Sequence, residues 1–336
     1  MLNICKAMSV KVSIIMPVYN AEAYLQAALD SLYAQSLSDF EILAINDGST
    51  DGSAQILSKQ TDRRLIVLTN DHNQGLSFSL NRGLQAASGD YLARMDADDL
   101  SDPRRLALQV NFLDSNPTID LCGTDINLID RTGLVYGQTS YPTTDEAIKA
   151  TMIFSSPFAH PSVMFSRRLL NNPDCYYRAT ASEDYDLWQR LSASTTFANL
   201  PEYLLNYRSG VGVSSNSLKT AYQAASQKIR SALLEKYFSS PPFVLPAPGS
   251  IYDQVDIDNY RQWLRSLRLA NQTKNIFSRT VFAQVLAKEW FSFLRSYGNY
   301  QPFLSPKNLS ANFYFFSQLP WREELQLLRL FLKRLK

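Results

Sequence analysis

Within the first hundred residues, short β-branched apolar runs alternate with segments whose apolar residues recur every three to four positions. This alternation constrains the fold more than any other feature of the chain. Val12 to Met16 reads as a strand buried on both faces. Leu25, Ala28, Leu29 and Leu32 follow at helical spacing, with Asn20 as a candidate cap. Glu41 to Ile45 and Leu65 to Leu68 are the second and third strands, and Asp51 or Ser53 can cap a short helix between them. Leu76, Leu80, Leu84 and Ala87 predict another helix, closed by Ser88-Gly89-Asp90, and Tyr91 to Met95 is the fourth strand. Such an order predicts an α/β protein with a doubly wound, mostly parallel central sheet. Right-handed crossovers then bring the strand C-terminal ends to one edge, where ligands of open α/β sheets bind. The loops after Met16, Ile45, Leu68 and Met95 are therefore where chemistry is expected.

Beyond that point the pattern changes. Asp102-Pro103 opens a helix carrying Leu106, Val110 and Leu113. Strands near 119–122, 134–136, 162–165 and 196–199, with a helix at 183–192, predict an α+β second half that completes the same sheet. This gives one domain over 1–215, with a first half of about 11–115 and a second of about 116–215. Residues 216–336 read as a helical C-terminal extension, beginning with a helix at 218–238 and a stiff Pro-rich linker near 239–249.

Composition closes several alternatives. A formal charge of +2 on 336 residues gives no global argument for a nucleic-acid partner. Three scattered cysteines and two histidines suggest neither a disulfide framework nor a zinc cluster, and fit a reducing cytosol. Met1 to Lys11 lacks the layout of a signal peptide, and no stretch approaches the roughly 18 apolar residues of a membrane span. The expectation is a cytoplasmic protein, soluble or peripheral to the inner face of the membrane.

Two loops carry candidate chemistry. Asn46-Asp47-Gly48-Ser49-Thr50-Asp51-Gly52-Ser53 sets an acidic residue just past a buried strand, where it can bind a base or ribose, cap a helix or close a turn. A calcium loop is the weaker alternative, because Ser58 stands where a bidentate glutamate is needed. In Arg94-Met95-Asp96-Ala97-Asp98-Asp99, three carboxylates repel one another at the end of a buried strand. A cation neutralises such a cluster, and oxygen-only ligands favour Mg²⁺ or Mn²⁺ with positions left for phosphate. Asp99 and Asp102 can instead cap the following helix. Pro17-Val18-Tyr19-Asn20 replaces the GxGxxG of a dinucleotide fold, and no P-loop is present.

Taken in order, "VSIIMPVYNAEAYLQAALDSL", "INDGSTDGS", "NQGLSFSLNRGLQAASGDYLARMDADD" and "SEDYDLWQRL" resemble glycosyltransferase family 2 over about residues 11–210. The resemblance implies a GT-A fold, a nucleotide-sugar donor, a divalent metal and inversion at the anomeric carbon. It implies that Pro17 and Tyr19 pack on the nucleobase, that Asp47 reads the base, with uridine favoured, and that Asp96-Ala97-Asp98 is the DXD motif. Asp98 is then the metal ligand, Asp96 contacts ribose or metal, and Arg94 pairs with Asp96 or reaches phosphate. Asp184 of the Glu183-Asp184 pair is the general base, although a helix N-terminus also favours acids there. Trp188 can stack on an acceptor sugar or fill the core, and His160 can line the acceptor or diphosphate pocket or be structural. One departure stands out: relatives' Tyr-Arg-x-His segment, whose His can complete the metal site, is here Tyr207-Arg208-Ser209-Gly210.

The acceptor implied is a saccharide or lipid-linked saccharide. Trp321, Leu325, Leu328, Leu332 and Leu335, with Arg322, Arg329, Lys333, Arg334 and Lys336, form a basic amphipathic pattern. It can lie on an anionic membrane, or dock on the catalytic domain or a second subunit. A sugar nucleotidyltransferase and a non-catalytic sugar-binding module are the competing functions. The first lacks a Gly-rich phosphate loop, and the second has no use for a base.

Overall fold

A computed structural model of the protein describes residues 10–210, 216–241, 243 and 254–296. Four parallel strands build the first half: β1 (Val12–Val18), β2 (Phe40–Asn46), β3 (Leu65–Thr69) and β4 (Tyr91–Arg94). They continue through β5 (Leu100–Ser101), β6 (Leu121–Ile129), β7 (Val135–Thr139), β8 (Met164–Ser166) and β9 (Phe197–Arg208) into a nine-stranded sheet of order β3-β2-β1-β4-β8-β6-β9-β5, with β7 on β6. Strands β8, β7 and β5 are antiparallel to their neighbours, while β6 and β9 pair in parallel, so the sheet is mostly parallel.

The burial of β1 and β2 explains why they lack polar alternation: Val12, Ile14, Met16, Ile42 and Ala44 are wholly enclosed. Helices cover both faces, among them α1 (Leu25–Tyr33), α2 (Ser53–Ser58), α3 (Leu76–Ala86) and α4 (Arg105–Ser115). Leu25, Ala28, Leu29 and Leu32 of α1 face that core, as their spacing predicts. Gly83 lets α3 approach the sheet closely, since a Cβ there would lie 2.5 Å from Ile15 Cγ2. Asn20 does not cap α1, which begins at Leu25; it adopts φ 50° and joins two loops instead. Strand β9 continues through Arg208, well past the 196–199 expected from local pattern, because parallel pairing with β6 sustains it.

Packing divides the chain into two units, Met1–Ile148 with Ser155–Ile229, and Lys149–Phe154 with Arg230–Lys336. α7 (Asn216–Phe238) begins at the boundary expected near 215, and the packing division falls inside this helix. The first unit also holds α6 (Glu183–Leu191), and α5 (Asp145–Thr151) spans both ranges. In the second unit α8 (Gln254–Lys274) and α9 (Arg279–Ser296) pack through aromatic residues, with the Tyr260 and Phe293 ring centroids 4.2 Å apart. Among the described residues no helix is long and apolar enough to cross a membrane. Most of the Pro-rich linker and the whole basic stripe at 321–336 lie outside the described residues.

Candidate active site

The loops after β1 and β2 are laced together. Thr50 N–H donates to Asn20 Oδ1 at 2.8 Å, Ala21 N–H to Ser53 Oγ at 2.9 Å, and Gly52 N–H to Glu22 Oε2 at 2.9 Å. This lacing holds Pro17 at the end of β1 and leaves Tyr19 44% exposed just beyond it. Gly48 is required at its turn: φ is +67°, and a Cβ would meet the His72 backbone at 2.7 Å. Asp47 is buried and accepts three hydrogen bonds. It accepts from Asn70 Nδ2 at 2.6 Å, Gln74 N–H at 2.9 Å and Gly75 N–H at 2.9 Å, which anchors the entry to α3. Two of these donors meet Oδ1 and one meets Oδ2, so one acceptor position on Oδ2 is left for a base N–H.

The acidic turn after β4 is organised differently. Met95, Ala97 and Asp99 point inward and are buried, while Asp96 and Asp98 face outward and are half-buried. Carboxylate oxygens of Asp96, Asp98 and Asp99 lie within 4.8 Å of one another. Burial, then repulsion from Asp96, pushes Asp98 up to about 6. Burial, then Asp96 and Asp98, raises Asp99 well above the usual carboxylate range. Asp99 Oδ2 is buried without a partner among the described residues. Buried Arg94 holds Asp96, with contacts of 2.5 Å from Nη1 to Oδ2 and from Nη2 to Oδ1. The outward, oxygen-only pair Asp96 and Asp98 fits a hard divalent cation, which would relieve the repulsion between them.

A second acidic group comes from the first turn of α6. Burial, then Asp184, pushes Glu183 up to about 7. Asp184 is raised by burial and accepts from Ser156 Oγ at 3.3 Å. Behind them lies His160, 8% exposed, with Nε2 2.9 Å from Tyr177 Oη and Nδ1 3.6 Å from Glu183 Oε1. Burial and then Arg94 push this imidazole well below its usual value, so it is neutral. The 3.6 Å approach is thus a polar contact rather than an ion pair. His160 is enclosed behind the acids instead of lining an open pocket. Trp188 is fully buried, packed edge-on against Phe158 and His160, and exposes no face to a sugar. Of its two expected roles, core filling is the one seen.

The two acidic groups share one field. Arg94 draws down Asp98, Asp99, Glu183 and Asp184 together, and the charge of Asp96 presses on Glu183. The charge of a single buried guanidinium therefore acts on Asp98 and Asp99 in the turn after β4 and on Glu183 and Asp184 in α6. Residues 13–172 match the model of glycosyl transferase family 2. Over 231 residues the chain is 34% identical to the O-antigen biosynthesis glycosyltransferase WbnJ of Escherichia coli, covering 67% of this chain and 90% of that protein. The chain belongs to glycosyltransferase family 2.

As a family 2 member the protein is a glycosyltransferase. It is also 30% identical over 203 residues to the amylovoran biosynthesis glycosyltransferase AmsE of Erwinia amylovora, covering 59% of this chain and 76% of that one. Among solved structures it resembles S. aureus TarS 1–349 in complex with UDP-GlcNAc, with TM-score 0.55, 20% identity, and coverage of 92% of this chain and 90% of that one. It also resembles mannosyltransferase PcManGT from Pyrobaculum calidifontis in complex with GDP-Man and Mn²⁺, with TM-score 0.52, 14% identity, and coverage of 95% and 88%. These likenesses bear out the expected GT-A fold.

Some residues around these acids have no signature in the sequence. Ser156 and Tyr177 carry no local signal, and their contacts with Asp184 and His160 come only from the fold. Arg208 lies within Tyr207-Arg208-Ser209-Gly210, and its residue type gives no role there. In the structure its Nε donates to the Asp98 carbonyl at 2.8 Å, so this segment lies against the acidic turn. At Gly210, the position that would take the His of the Tyr-Arg-x-His pattern, φ is +73° and no atom lies within 4 Å of an added Cβ.

Proposed function

We propose that this family 2 transferase performs an inverting displacement. It moves a sugar from a nucleoside diphosphate donor, preferably a uridine diphosphate sugar, to a hydroxyl of a saccharide or lipid-linked saccharide in polysaccharide assembly. The observation that supports the reading is the cluster of Asp96, Asp98 and Asp99, with buried Arg94 paired to Asp96 and its charge also acting on Asp184. Pro17 and exposed Tyr19 offer the base a surface at the end of β1. Asp98 with Asp96 would hold Mn²⁺ or Mg²⁺, which would supply charge stabilisation to the leaving diphosphate.

Asp184 takes the proton of the acceptor hydroxyl as its oxygen attacks the anomeric carbon opposite the diphosphate. The bond from the anomeric carbon to the diphosphate oxygen breaks, and the diphosphate leaves with the electron pair. Ser156 orients the carboxylate, and Arg94 favours its charged form against the burial that opposes it. Glu183 shares that field and supports Asp184. The acceptor class is supported by the names of WbnJ and AmsE, which assign those relatives to O-antigen and amylovoran biosynthesis. The donor class is supported by the UDP-GlcNAc complex of TarS.

The test is Asp184→Asn, with transfer measured by nucleoside diphosphate release and donor binding by calorimetry. Donor affinity should stay within about threefold while transfer falls by roughly 10²–10⁴, the usual contribution of a general base. Transfer within about tenfold of wild type would remove Asp184 from the reaction.

A further inference from the structure

Arg208 ends β9 and reaches three parts of the first unit. Its backbone N–H donates to Asp99 Oδ1 at 2.8 Å, and its Nε donates to the Asp98 carbonyl at 2.8 Å. Its Nη1 donates to the carbonyls of Asp130 at 2.8 Å and Arg131 at 3.2 Å, in the turn between β6 and β7. The guanidinium lies over the Tyr24 ring, 4.5 Å from its centroid, just before α1. The side chain is 5% exposed, so this is an interior joint rather than a surface contact.

An arginine this enclosed would ordinarily face a carboxylate. Here its side chain is spent on main-chain carbonyls, and the carboxylate of Asp99 is met by the Arg208 main chain. The consequence is geometric. Fixing the Asp98 carbonyl and the Asp99 side chain on the inner side of the turn leaves Asp96 and Asp98 on the outer side.

We propose that Arg208 and Asp99 form a clamp of positioning residues, which sets the acidic turn so that Asp98 and Asp96 are presented together to a divalent cation. This rests on the reading of Asp98 and Asp96 as the metal ligands. It gives Asp99, the third carboxylate of the cluster, a role as anchor rather than ligand. Residues that orient metal ligands typically affect metal affinity by about 10–100-fold when lost.

The experiment is Mn²⁺ binding to the full chain at fixed UDP, followed by loss of the free Mn²⁺ resonance signal, alongside melting temperature. Asp98→Asn should abolish binding; if it binds as wild type does, the metal reading itself falls and the clamp with it. Arg208→Met should weaken Mn²⁺ by about tenfold or more. Arg208→Lys should fall in between, since one ammonium can reach a carbonyl but cannot span three and stack on Tyr24. Asp99→Asn keeps an acceptor for the Arg208 N–H and should bind within about threefold of wild type. Folded Arg208→Lys and Arg208→Met with wild-type Mn²⁺ affinity and only a lowered melting temperature would overturn the clamp. So would loss of binding in Asp99→Asn as complete as in Asp98→Asn. If Arg208→Met does not fold, Arg208→Lys and Asp99→Asn decide between the same outcomes.

Discussion

Asp47 and Asp98 both follow parallel strands of one sheet, and their surroundings are opposite. Asp47 is enclosed by three N–H donors and carries the entry to α3. Asp98 faces outward among like charges, with its carboxyl pushed up to about 6 by burial and by Asp96. A carboxylate whose hydrogen bonds are already made within the fold mainly supports it, and one left among repelling neighbours is available to a ligand. The same residue type after two strands of one sheet thus stands in two kinds of surroundings, and the partners distinguish them.

That contrast can be broken at several points. The largest effect is expected at Arg94, which lies under the acidic turn and serves both acidic groups. Arg94→Met leaves Asp96 unpaired and should cost about 3–5 kcal/mol of stability in chemical denaturation. A loss below about 1 kcal/mol would show that the carboxylates do not depend on it. Asp98→Asn should leave the fold intact and lower metal-dependent transfer by about 10²–10³, equivalent to roughly 3–4 kcal/mol. Asp47→Asn should do the reverse. It loses charge-assisted bonds worth about 1.5–3 kcal/mol of stability, while transfer by the folded enzyme changes less than about tenfold. If Asp47→Asn is as inactive as Asp98→Asn and equally stable, Asp47 contacts the donor despite its three partners.

The smallest effect is on pH dependence. Glu183 at about 7 and Asp98 at about 6 sit above their unfolded values, so the folded protein binds extra protons in that range. Their burden on stability is greatest above pH 7 and is lifted as pH falls. His160 acts in the opposite sense, since its folded value is depressed and the unfolded chain takes up a proton below about 6.5. Melting temperature without metal should therefore rise by a few degrees from pH 8 to pH 6.5. Mn²⁺ should flatten the rise by favouring the charged form of Asp98. A melting temperature that falls over this interval would contradict the shifts.

How far the sequence carries depends on whether a signal is local. The strands and helices of the first half, and the carboxylates Asp96 and Asp98, are legible because burial periodicity and charge clustering act over a few residues, whereas Glu183 and Asp184 stand out only through the family resemblance. Asn20 looked like a cap and is a cross-loop tie, because its partner Thr50 is 30 positions away. The contact of Arg208 with Asp99 spans 109 positions, and nothing near either residue announces it. Strand β5 has two residues and is set by antiparallel pairing with β9 rather than by its own composition. Trp188 had equal claims to core and acceptor because helical spacing fixes a face but not what covers it.

The distinction between a satisfied and an available carboxylate is tested most directly by one thermal-shift comparison at pH 7.5. Wild type, Asp47→Asn and Asp98→Asn are each melted with a UDP-sugar, with and without Mn²⁺. Wild type and Asp47→Asn should both gain stability from Mn²⁺, and Asp98→Asn should gain none. A full Mn²⁺ gain in Asp98→Asn, or its loss in Asp47→Asn, would contradict the account.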